Sequence, residues 1–169
     1  VVWFAPPFYR TGIFIWLLRS EYSRNLLLKE RRALEAHARE AGCSLILHPE
    51  SKVMSLRGAT VQRAYLQTLL EFLGEIPPNL VRAVVTPKTP EDSLILVGDY
   101  FFAEGLVPTL HGLHQTVFNS HAPSVLEKMI GFKRKFEHLG NRYGIMTGTG
   151  LVEKIEQVLM ILETEKSES

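Results

Sequence analysis

Two short apolar runs stopped by proline constrain this chain most: SLILHP at 44–49 and LVRAVVTP at 80–87, with a helix-length stretch between them. A continuous apolar run of strand length has no polar face to turn to water, so it belongs in a strand covered on both sides. The intervening segment, from about Thr60, places Val61, Tyr65, Leu69 and Phe72 at i, i+4, i+8 and i+11 and closes at Gly74 and Pro77-Pro78. That is the pattern of a helix laid against a sheet. Upstream, Val1 to Ala5 is a third strand-like run, ended by Pro6-Pro7, which have no N–H to give to a ladder. Ile13 to Arg19 then reads as an apolar helix. Residues 20–42 read as a longer one, with Leu27, Leu34, Ala38 and Ala41 near one face and Gly42 as its stop. Strand, helix, strand, helix, strand predicts an α/β fold with a mixed, partly parallel sheet flanked by helices.

The second half changes character. SLILV, Gly98-Asp99 and YFFAEGL read as an antiparallel hairpin, because Gly98 and Asp99 tolerate the positive φ that a two-residue turn requires. A loop through Pro108 and Gly112 leads to another strand in HQTVFNSH. Ala122-Pro123-Ser124 opens a helix with Leu126, Met129, Ile130, Lys133 and Phe136 at helical spacing. After GNRYGIMTGTG a last helix runs from about Leu151 to Glu163, with Val152, Ile155, Leu159 and Leu162 on one stripe. The expected division is an α/β domain at 1–143 and a Gly-rich linker with a C-terminal helix at 144–169. That stripe fits packing on its own domain or crossing to a second subunit, and dimerisation is the expectation.

At 169 residues the chain is long enough to bury about two-thirds of the surface its unfolded form exposes. Its net charge of +1, from 19 basic and 18 acidic residues, supplies no global field to hold nucleic acid or a membrane surface. The lone cysteine, Cys43, has no partner for an internal disulfide, which suits a reducing, cytoplasmic compartment. The apolar start VVWFAPPFYRTGIF is interrupted by Pro6-Pro7 and Arg10, so it reads as neither signal peptide nor membrane span, and no membrane partner is expected. The chain opens inside a strand-like run without an initiating Met, which leads to the expectation of further sequence upstream.

The stretch DSLILVGDYFFAEGL at 92–106, followed by HQTVFNSHAPSVLEKMIGFKRKFEHL at 114–139, resembles the latter part of one phospholipase D-like repeat: a hairpin, a further strand, then a helix with large apolar residues at fixed spacing. Active members of that family use a His-x-Lys-x4-Asp motif at the start of the hairpin, where the histidine attacks phosphorus and the lysine holds the phosphate charge. Laid over this sequence, the histidine position falls near Glu91, the lysine position near Ser93 and the aspartate position near Gly98, and all three are lost. The resemblance therefore implies a catalytically silent domain of the kind attached to helix-turn-helix transcription regulators. Its role would be effector sensing, dimerisation or both in a bacterial transcription regulator. The implied partners are a second copy of the chain and, through a segment outside this chain, DNA.

In open α/β sheets ligands bind outside the carboxyl ends of the strands. The segments there are PPFYRTG, HPESKVMSLRGAT and TPKTPED, which contribute Tyr9, Arg10, His48, Glu50, Lys52, Arg57 and Lys88. Four cations against one carboxylate suit an anionic small molecule, with Thr60 and the helix amides behind Gly58 placed to receive a phosphate or carboxylate. No cofactor is called for. His48 and Glu50, two residues apart on one strand end, point to the same side, so a small hydrolase or phosphodiesterase is the alternative. No nucleophile motif accompanies them, and a pure assembly module is a third reading.

Other clusters read as structure. His111, His114 and His121 are close in sequence, but no Cys accompanies them and the nearest carboxylate, Glu104, lies across the hairpin, so they read as surface or capping residues rather than metal ligands. His37 sits among charged neighbours on a helix, and His138 lies near a helix end, where the dipole favours it. Trp3, Phe4, Phe8, Phe14 and Trp16 read as core. Lys128, Lys133, Arg134, Lys135 and Arg142 have the charge to meet a phosphate backbone. Glu127 and Glu137 dilute them and no aromatic platform is interleaved, which reads as a solvated helix face.

Overall fold

The computed structural model describes residues 2–4, 32, 34–47, 59–87, 93–99, 101–106 and 115–167. Strands β1 (Val2–Phe4), β2 (Cys43–Leu47) and β3 (Val81–Val85) lie side by side and parallel, with Phe4 opposite Leu45 and Leu45 opposite Ala83. Parallel neighbours need a long crossover between them. Residues 34–41 are helical (α1) and lead into β2, and α2 (Ala59–Gly74) with a 3-10 turn at Pro78–Leu80 carries the chain to β3. The remaining strands are antiparallel to their neighbours. β4 (Ser93–Val97) pairs with β1, β5 (Phe101–Leu106) with β4, β6 (Gln115–Asn119) with β5, and β7 (Met146–Thr147) with β3. Among the described residues the sheet has seven strands in the order β6-β5-β4-β1-β2-β3-β7. The expected α/β class with a mixed, partly parallel sheet is what the chain forms.

Alternation along each strand divides the core in two. Cys43, Leu45 and Leu47 of β2, with Val81 and Ala83 of β3, face a layer made by Ala38 of α1, Leu66, Leu69, Phe72 and Leu73 of α2, and Leu151, Ile155, Val158 and Leu162 of α4 (Gly148–Ser167). Ile46, Val84, Leu96 and Phe102 face the other way, against Val125, Phe132, Phe136 and Leu139 of α3 (Ala122–Tyr143). All five residues of β2 are buried, as a run without a polar face requires. Each Leu or Phe so buried contributes about 1.5–3 kcal/mol. The rim is held more weakly. Arg39 of α1 donates Nε to the Glu75 carbonyl at 2.9 Å and pairs with its carboxylate, a half-exposed contact worth at most about 1 kcal/mol.

Three expectations are corrected. The hairpin turn has three residues: Val97 pairs with Phe101, so 98–100 connect the strands, and among the described residues only Gly98 of the turn has positive φ, at 54°. In α2 the expected Leu69 and Phe72 are buried, joined by Leu66, Leu73 and Gln62.

In α3 the predicted stripe keeps only Phe136 in the core. Leu126 is 50% exposed, Ile130 40% exposed, and Lys133 is exposed. The observed stripe, Val125, Phe132, Phe136 and Leu139, follows i, i+7, i+11 and i+14. This helix carries apolar residues on two adjoining stripes, and the one with two stacked phenylalanines, centroids 5.9 Å apart, buries more area.

The run GNRYGIMTGTG is no linker. α3 continues to Tyr143, Gly144 ends it with φ 86°, Met146 and Thr147 add a strand, and α4 begins at Gly148. Glycine's poor helix propensity is overridden there by close packing, since a Cβ on Gly148 would lie 2.9 Å from Pro78. The stripe that led to the expectation of a dimerising helix faces the chain's own core, with Ile155 and Leu162 buried and Val152 and Leu159 packed against them. The expected helix at Ile13 to Arg19 and the core cluster's Phe8, Phe14 and Trp16 lie outside the described residues.

Candidate functional site

Three parallel strands necessarily end on one edge of a sheet. Phe4, Leu47 and Val85 do so here, with Leu47 opposite Val85 and the Thr86 N–H donating to the Leu47 carbonyl at 2.9 Å. The antiparallel half adds to the same edge. Ser93 opens β4 opposite Gly105, and Leu106 closes β5 opposite the first residue of β6, Gln115. α2 also starts on this edge, because it must lead from the end of β2 back to the start of β3. The opposite edge is closed by tight backbone packing, Gly42 on Leu80 and Gly148 on Pro78.

The seven residues expected to bind a ligand, Tyr9, Arg10, His48, Glu50, Lys52, Arg57 and Lys88, lie outside the described residues, as do Glu91, His111 and His114. The described residues give the frame: the segments carrying those seven follow, in sequence, the ends of β1, β2 and β3. One polar residue near that frame was not among the candidates. Arg63, within the first two turns of α2, donates Nη2 to the Leu162 carbonyl at 3.3 Å, while its Nε is buried and, among the described residues, has no partner. A guanidinium carries five N–H donors, and leaving one buried and unmatched costs about 1–3 kcal/mol. Helical periodicity does not single out such a residue. The available signal was its place, just inside the helix that follows a strand-end loop.

His121 stands at the N-cap of α3 without a side-chain bond to the helix N–H groups: its own N–H donates to Asn119 Oδ1 at 2.8 Å and its Nδ1 lies 3.1 Å from Ser124 Oγ. Among the described residues no group of three His, Cys, Asp or Glu is placed to hold a metal ion. Cys43 is buried, and desolvation pushes its thiol up to about 12, so it offers no thiolate nucleophile near neutral pH. On the hairpin, Ser93 opens β4 and Gly98 forms the turn, so the position overlaid on the family's aspartate carries no side chain. Two cations lie over aromatic rings: the Arg82 guanidinium 5.4 Å from the Phe136 centroid and the Lys128 ammonium 5.5 Å from that of Phe102.

No helix among the described residues is long and apolar enough to cross a membrane. No protein-family model, curated protein or solved structure matches the chain.

Proposed function

We propose that this chain is a non-catalytic, phospholipase D-like α/β domain that binds an anionic small molecule and serves as the effector-sensing and/or dimerisation half of a bacterial transcription regulator. The observation that carries the reading is the convergence of β1, β2 and β3 on one edge, from which the segments bearing Arg10, Lys52, Arg57 and Lys88 continue in sequence. Arg63, with an unmatched buried Nε and a bond to the Leu162 carbonyl, is a further cation on the helix that starts from that edge. The order hairpin, β6, long helix supports the likeness to the family. The lost motif positions and the protonated Cys43 argue against phosphoryl transfer.

The test is thermal-shift screening of the purified chain against inorganic phosphate, sugar phosphates and dicarboxylates. A ligand at a hundredfold its Kd stabilises the fold by about 2.7 kcal/mol. Arg10→Ala and Lys52→Ala are expected to abolish that shift while leaving the unliganded melting temperature unchanged. If both variants respond as the wild type does, the site is misplaced. Turnover of a phosphodiester or ester that disappears in His48→Ala would replace this reading with a hydrolase.

A further inference from the structure

We infer that the outward face of α3 docks on the phosphate backbone of duplex nucleic acid, a surface distinct from the effector edge and independent of that reading. Gly131, Arg134, Lys135, His138 and Arg142 stand at i, i+3, i+4, i+7 and i+11, one continuous stripe, and all five are exposed. The stripe lies on one flank of the helix, about a third of a turn round from Val125, Phe132, Phe136 and Leu139, which hold the helix to the sheet. In sequence the basic run is diluted by Glu127 and Glu137. In space Glu137 shares the flank of Leu126, Ile130 and Lys133, and Glu127 stands at the N-terminal end of the stripe, seven residues and about 10 Å along the axis before Arg134. Arg134, Lys135 and His138 have no carboxylate partner among the described residues.

Two features of this stripe have no explanation in folding. The attraction of cations to a helix C-terminus reaches only the last turn, so it accounts for Arg142 but not for Arg134 or Lys135. Gly131 is a glycine inside a helix with nothing within 4 Å of where a Cβ would stand, so no packing requires it. An open glycine flanked by arginine and lysine lets a polyanion approach the helix backbone closely. Charge distribution gives the direction. α3 has five cationic residues against two carboxylates, whereas α4, on the other layer, has four carboxylates against two lysines. The stripe itself carries no Phe, Tyr, Trp or aliphatic side chain, the exposed Leu126 and Ile130 lying on the adjoining flank, which favours duplex backbone over single strands or a membrane.

The test is fluorescence anisotropy with a labelled 20-base-pair duplex across a salt series. Binding is expected at low salt, with log K falling against log salt by about 0.9 per phosphate contact. Arg134→Gln/Arg142→Gln should reduce that slope by about 2. A control pair, Arg32→Gln/Lys154→Gln, removes the same charge from the other layer and should leave the slope unchanged. Equal losses in both pairs, or no binding at 20 mM salt, would overturn the inference. So would selective retention by phosphatidylserine vesicles when the duplex does not bind.

Discussion

Gly42 meets Leu80 with no room between them for a side chain. A Cβ at residue 42 would lie 2.6 Å from the Leu80 carbonyl oxygen, and Gly42 has a φ of 74°. Its N–H donates to the Ala38 carbonyl at 2.9 Å, so one residue ends α1, turns the chain and starts β2. Gly42→Ala adds both backbone strain and a clash with main-chain atoms. It should destabilise the fold by on the order of 2 kcal/mol in urea denaturation. Gly131→Ala, in open space on α3, should stabilise it by about 0.5–1 kcal/mol in the same assay.

The phase of α3 separates two substitutions of similar chemistry. Phe132 is 4% exposed and should cost about 3–5 kcal/mol on truncation to Ala. Leu126 is half-exposed, and Leu126→Ala should stay within about 0.5 kcal/mol. Comparable losses at the two positions would mean that α3 is rotated from the orientation described.

Cys43 sets a pH dependence whose sign is determined by burial. Its folded thiol keeps its proton to about 12, while the unfolded thiol ionises near the ordinary 9.0. Between those values the unfolded state releases a proton that the folded state retains, so stability is fully present below pH 9 and declines as pH rises toward 12. Cys43→Ala should remove that part of the decline, read as the difference between wild-type and variant urea midpoints from pH 8 to 11. The native thiol should also react with a disulfide reagent only as fast as the protein unfolds.

Deleting residues 148–169 should abolish cooperative folding rather than simply separate subunits. Leu151, Ile155, Val158 and Leu162 share one core with β2, β3 and α2, and no other described helix could take their place. The expected result is loss of near-UV circular dichroism and of a cooperative melt. A deleted chain that melts cooperatively as a monomer would show that α4 is an accessory to the fold.

Much of this fold is legible locally because burial of a strand is stated by the strand's own residues. CSLIL has no polar side, VRAVV presents one Arg among apolar neighbours, and helix formers between them leave few other arrangements. The candidate site is legible only as far as its frame. Parallel pairing predicts that the ends of β1, β2 and β3 share an edge, and they do, whereas the buried Nε of Arg63 depends on where Leu162 of a remote helix comes to rest.

Sequence periodicity placed every described strand but β7, and most helix ends, within a few residues, since turn chemistry and apolar spacing are properties of neighbours along the chain. Tertiary structure alone decided that β4 enters beside β1 rather than beside β3, that β7 adds to the far edge, and which of two apolar stripes on α3 faces inward. Backbone N–H and C=O groups are chemically alike in every strand, so ladders do not encode their partners. The choice falls to the packing that buries most apolar surface with least strain, and in this protein Phe132 and Phe136, closed over Ile46, Val84 and Leu96, make that choice for α3.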